Sequence, residues 1–228
     1  MCLYGWEFEE SEEVLEMNWL NKLERKIGRH YIPNLMKYLC FAMLGVFVLE
    51  YLPLARSAWY LLYFNRDLIL RGEIWRIITF IFLPPTSSII WVLFSLYFYY
   101  FLGTALENQW GSARFNIYYA IGVLGNIVSG FITGATTNEY LNLSLLLAFA
   151  VLYPEHEIML FFILPVKMRW IGWAWGAYLI YQLVILPLPY KLSLVFSLLP
   201  FVLFFGKQAW LQLRMDFRRV LRWINMRR

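Results

Sequence analysis

Two histidines and two cysteines are all that 228 residues offer of the side chains most used for acid–base or metal chemistry. Charged residues are scarce as well, at 15% against the roughly 25% usual in soluble proteins. Cys2 lies near the N-terminus and Cys40 inside the first apolar run, so they form neither a disulfide framework nor a thiolate metal site. No metal or cofactor is expected. The first sixteen residues contain six acidic side chains and no basic one, and the first apolar run begins only after about thirty residues. That order does not read as a cleaved secretory signal, and none is expected. No 20–50-residue repeat is present, which excludes solenoids and propellers.

What is abundant is apolar surface: 61% hydrophobic residues, 20% aromatic and a mean hydropathy of +0.55. This composition describes a polytopic membrane protein whose Trp and Tyr supply interfacial belts as well as packing. The net charge of +5 does not point to nucleic acid. The basic residues cluster outside the apolar runs, where orientation and anionic lipid account for them.

Residues 1–16 read as an acidic tail. From Asn18 the period turns helical, with Trp19, Leu20, Leu23 and Ile27 on one side and Lys22, Arg25, Lys26 and Arg29 on the other, as in an interfacial helix that Pro33 ends. Leu35 to Leu54 is long enough for a first span across a ~30 Å core. Residues 55–87 mix aromatics with Arg56, Arg66, Asp67, Arg71 and Arg76 and stop at Pro84-Pro85. They predict a folded, partly embedded loop of short helices, because backbone in a bilayer must be helical or covered. Further spans are expected at 88–106, 115–133, 139–153, 170–186 and 192–205, the fourth being short and therefore central. The tail from Gly206 carries Trp210, Leu213, Phe217, Val220, Leu221 and Ile224 on one face and Arg214, Arg218, Arg219 and Arg222 on the other, a second interfacial helix. The tails hold four and seven Lys/Arg outside the spans, and the turns at 134–138 and 187–190 hold none. The positive-inside rule then places both termini in the cytoplasm, and the short loops suggest a bacterial plasma membrane.

The chain is organised around Gly103-x-x-x-Glu107-x-x-x-Gly111, a carboxylate between two glycines at the seam of two apolar runs. With six spans and a long first loop containing Trp75-Arg76, this motif resembles the rhomboid superfamily of intramembrane serine proteases and their inactive relatives. Phe82-Leu83, Arg114-Phe115 and Tyr153-Pro154 add to the resemblance, which covers roughly residues 35–206. It implies an all-α membrane bundle of six transmembrane helices in a rhomboid-like arrangement. Three regions are expected: 1–34, acidic tail plus interfacial helix; 35–206, the membrane domain; and 207–228, the basic C-terminal helix.

In rhomboid proteases a Gly-x-Ser-Gly opens span four, a His stands in span six, and a His and an Asn in span two help form the oxyanion site. By the same registers this chain has Glu139 near the nucleophile position, Trp91 and Ser95 at the span-two positions, and Pro84 after Phe-Leu. Gly-x-Ser-Gly does not occur, and 192–205 has no His. Ser144 is the best-placed serine, yet His156 is twelve residues on, ~18 Å along a continued helix, and a serine nucleophile needs a base at hydrogen-bond distance.

Three functions remain open. The leading one is a non-catalytic pseudoprotease that binds the transmembrane helices of client membrane proteins. The others are an intramembrane serine protease with unorthodox residues around Ser144 and a small-solute transporter or channel. Glu107 is either a functional acid or a tie that accepts hydrogen bonds from a neighbouring helix end. Gly103, Gly111, Gly122, Gly125, Gly130 and Gly134 are expected to admit close helix approach. Asn138 is expected to cap span four, with Glu139 in its first turn. Asn126, Asn138, Glu139, Asn142 and Ser144 either pack as structural polar groups or line a cavity open to clients and water. His156, between Glu155 and Glu157, reads as solvated.

Overall fold

The computed structural model describes residues 18–28, 30–50, 58–160 and 164–225. The acidic stretch 1–16, Arg56 and the end of the first expected span beyond Glu50 lie outside the described residues. The fold is an all-α membrane bundle. In chain order its helices are α1 (Asn18–Ile27), α2 (Leu35–Glu50), α3 (Ala58–Leu62), α4 (Arg66–Leu70), α5 (Arg76–Thr79), α6 (Ile89–Trp110), α7 (Ser112–Thr133), α8 (Glu139–Leu152), α9 (Met168–Ile185) and α10 (Leu188–Asn225). Three of them are long and apolar enough to cross a bilayer: α6, α7 and the Tyr190–Leu211 part of α10.

The short α8 is the centre. Leu141, Asn142 and every residue from Ser144 to Ala150 are buried, and the helix touches α6, α7, α9 and α10. Fourteen residues rise only ~21 Å, so this helix is enclosed by longer ones. The core around it joins Leu102 and Leu106 of α6, Phe115 and Tyr118 of α7 and Phe205 of α10.

Two sequence expectations are corrected. Gly28, not Pro33, ends α1: it adopts φ +57° and donates its N–H to Glu24 O at 3.0 Å, a left-handed stop glycine tolerates. Helix α1 also docks on the bundle, with Leu20 buried and Glu24 paired to Arg114 of α7 at 2.9 Å. Between α8 and α9, Glu157–Leu160 (β3) pairs antiparallel with Leu164–Lys167 (β4). The sixth span and the basic tail helix are one uninterrupted element, α10, because Gly206 alone costs a helix only about 1 kcal/mol.

Pro200 lies inside α10 and has no N–H for the carbonyl of Phe196 four residues earlier. That carbonyl faces Gly125 of α7, where a Cβ would fall 2.3 Å from Phe196 O. Gly103, Gly122 and Gly130 likewise admit Met36, Leu141 and Phe64. Gly111 and Gly134 do not: nothing lies within 4 Å, and they serve turns at φ +82° and +95°.

Gly125→Ala lowers stability by about 1–3 kcal/mol, as overpacking against rigid backbone does. Gly176→Ala, on α9 with nothing within 4 Å, leaves stability unchanged or raises it by up to about 1 kcal/mol. Denaturation midpoints of the two variants in detergent micelles compare them; identical midpoints would refute a tight α7–α10 contact.

Candidate functional site

The loop after the first apolar run is built around one short helix end. α3 has five residues, too few to satisfy its own last carbonyls. Side chains from residues 75–79 supply the missing donors. Arg76 Nη1 donates to Tyr60 O at 2.6 Å and to Tyr63 O at 3.0 Å. Trp75 Nε1 donates to Leu61 O at 3.2 Å, and Thr79 Oγ1 to Leu62 O at 2.9 Å. Arg76 is only 1% exposed. Its charge is balanced by Glu73, which receives Nε at 2.7 Å and Nη2 at 2.6 Å, and its guanidinium lies over the rings of Tyr60 and Tyr63 at 5.6 and 5.2 Å. A guanidinium fork is the side chain that can serve two carbonyls and a carboxylate at once.

The loop is then tied to the turn after α7. β1 (Phe64–Asn65) pairs antiparallel with β2 (Ala135–Thr136), Asn65 Oδ1 caps α4 by accepting from Leu68 N at 3.1 Å, and Arg66 N donates to Gly134 O at 2.9 Å. Asn138 occupies the N-cap position of α8 but makes no capping bond. Its amide instead donates to Ile81 O and Leu83 O, both at 2.9 Å. Pro84 and Pro85 explain the correction: without N–H groups they cannot serve Ile81 O at i+3 or i+4, so Asn138 does. Glu139 beside it is exposed.

Gly103 and Glu107 fall at i and i+4 on one face of α6, and Gly111 caps its end. Gly103 receives Met36, and Glu107 Oε1 accepts from Asn34 N at 2.7 Å and from Ser112 Oγ at 2.5 Å. Asn34, at φ +54°, starts α2. The carboxylate thus holds the start of one apolar helix against the end of another, and Gly111 turns the chain into α7.

Between α7 and α10 runs a buried polar ladder. Asn126 Oδ1 accepts from Ser197 Oγ at 2.5 Å and Thr136 Oγ1 at 3.3 Å, and Ser193 Oγ donates to Ser129 Oγ at 3.2 Å. Sequence reasoning missed Ser193 and Ser197. Their i, i+4 spacing opposite Gly125 and Ser129 was the available signal.

Ser144, fully buried, donates its hydroxyl to Leu141 O at 2.6 Å and accepts from Tyr118 OH at 3.0 Å. Neither partner is a base. His156 lies beyond the far end of α8, its ring against Phe101 at 5.8 Å and Phe149 at 5.7 Å; the neighbouring Glu155 is drawn off to Lys167 and Arg169. Trp91 is exposed on α6. Asn142, 1% exposed, and Tyr119, 4% exposed, keep buried polar atoms with no hydrogen-bond partner among the described residues. No cluster of three or more His, Cys, Asp or Glu suited to a metal occurs among the described residues.

Arg76→Lys removes at least one carbonyl bond from a buried site, at a cost of about 2–3 kcal/mol; Thr79→Val costs about 1 kcal/mol. Limited proteolysis of the 58–83 segment ranks the variants, and wild-type resistance in Arg76→Lys would contradict the anchoring role. Glu107→Leu leaves Asn34 N unpaired at about 1–3 kcal/mol, whereas Glu107→Gln keeps an acceptor and loses less. Unfolding in micelles measures that difference.

A family model described as the Rhomboid domain matches residues 71–187. No curated protein and no solved structure matches the chain.

Proposed function

The chain belongs to the rhomboid superfamily, and on that premise we infer that it is a non-catalytic member: an integral membrane protein that receives transmembrane helices of other membrane proteins without cleaving them. The observation that carries this reading is the bonding of Ser144. Its hydroxyl proton goes to the Leu141 carbonyl, and Tyr118 OH lies within donating distance of both its hydroxyl and its carbonyl oxygen, so among the described residues no hydrogen-bond partner of Ser144 is arranged to remove a proton, as nucleophilic catalysis requires.

The reading includes six spans over residues 35–206, both termini in the cytoplasm of a bacterium, and flanking regions 1–34 and 207–228. The client-contact surface is the first turn of α8, where Glu139 is exposed, together with the loop that Arg76 anchors; Asn126, Asn138, Asn142 and Ser144 are buried behind it. Helix α9 supports an entry beside α8. It packs mainly on α8, only Met168 and Leu179 along it are buried, and Ile180, Tyr181 and Val184 are exposed.

One observation favours the hydrolase alternative. Asn142, two residues before Ser144, keeps an unpaired buried carboxamide, and a polar interior that admits water is what hydrolysis would also need.

A fluorophosphonate probe separates the two. The purified chain stays unlabelled, and in-membrane photocrosslinking from the α8–α9 side captures the same helical clients with wild-type chain and with Ser144→Ala. Labelling that disappears in Ser144→Ala would establish a hydrolase, and recovery of no helical client would sink the client reading.

A further inference from the structure

A groove on the outside of the bundle, to which α8 contributes no lining residue, carries its own chemistry. It runs between α2 and α6, encloses about 350 Å³, and is walled by Lys37, Phe41 and Leu44 on one side and by Leu93, Tyr97 and Tyr100 on the other. Its floor is closed where Cys40 Sγ donates to Leu96 O at 3.5 Å. Met36 against Gly103 and Cys40 against Leu96 fix the register of the two antiparallel helices. That register brings Tyr100 to the level of Lys37 at one end and leaves Leu44 and Leu93 at the other. From Lys37 to Leu44 is seven residues, ~10 Å along the axis, about two-thirds of one leaflet of a ~30 Å core.

The polar end has the opposite character to the rest. Lys37 is exposed, and its ammonium makes no hydrogen bond or ion pair among the described residues. The carboxylate at the same end of α2, Glu107, is engaged by Asn34 and Ser112, and Glu24 by Arg114. The groove therefore offers a free ammonium and a phenol at its mouth, apolar walls below, and, among its lining residues, no carboxylate for a cationic headgroup. We propose that this groove is a binding site for a net-anionic phospholipid, with the phosphate at Lys37 and Tyr100 and one acyl chain laid between Phe41, Leu44, Leu93 and Tyr97. A lysine whose stem lies along apolar surface while its head reaches headgroup depth is suited to this. The site is independent of whether clients are bound or cleaved.

The test is native mass spectrometry of the full chain in detergent, titrated with phosphatidylglycerol and with phosphatidylcholine of the same acyl chains. One phosphatidylglycerol is retained in preference to phosphatidylcholine. Lys37→Gln reduces that preference about fivefold, the equivalent of ~1 kcal/mol for one lysine at an anionic headgroup, while the chain is still held. Leu93→Trp, which enlarges a side chain already 54% exposed and so spares the core, reduces retention of both lipids. Unaltered melting of each variant shows that the fold is intact. Equal retention of both lipids by the wild type would overturn the proposal. So would indifference to Leu93→Trp, or crosslinking of a photoreactive residue at position 93 to a protein helix instead of lipid.

Discussion

Backbone carbonyls with no water to meet them are the constraint on which this fold depends. In hydrocarbon each unpaired polar group costs several kcal/mol, so a helix end that its own following backbone does not close needs a partner from elsewhere in the chain. Trp75, Arg76 and Thr79 close the end of α3. Asn138 closes the segment that Pro84 and Pro85 leave open, and Glu107 meets the N–H at the start of α2. In each case one polar side chain joins two elements distant in sequence. Polar residues, not apolar ones, therefore specify how this apolar chain is assembled.

The helix contacts obey the same economy. Lipid is as apolar as leucine, so burying leucine between membrane helices gains little, and close approach and interhelical hydrogen bonds decide the pairing. α7 and α10 meet over Gly125, where the carbonyl left without a donor by Pro200 finds room, and over the Asn126–Ser197 and Ser129–Ser193 bonds. Ser144 is part of this economy: its hydroxyl is spent on a main-chain carbonyl and a tyrosine.

The sequence showed most about what composition and spacing control. The helix positions, the shortness and burial of α8, and the loop made of short helices all followed from hydropathy and bilayer thickness. The i, i+4 spacing of Gly103 and Glu107 put both on one face, but which backbone atom Glu107 reaches depends on the start of α2, seventy residues away. Asn138 misled because a cap position is a local signal, whereas its partners, Ile81 and Leu83, are non-local. The β1–β2 pairing was invisible for the same reason: two residues per strand carry no periodicity. Gly206 and the change to a basic composition suggested a break in α10 that the helix does not make, since one glycine is too small a penalty to end a helix propagating from a packed span.

That unbroken helix has a mechanical consequence. Thirty-eight residues make a rod ~57 Å long, nearly twice the ~30 Å hydrocarbon thickness. Its inner part is pinned to α7 at Ser193 and Ser197, and exposed Arg214 stands ~25 Å further along the axis from Ser197. Phe205, stacked on Trp110, holds the helix a second time about two turns beyond Ser197. The arm that is free of the core therefore begins near Gly206, and a load at Arg214 is borne by two separate clamps, polar at the serines and aromatic at Phe205.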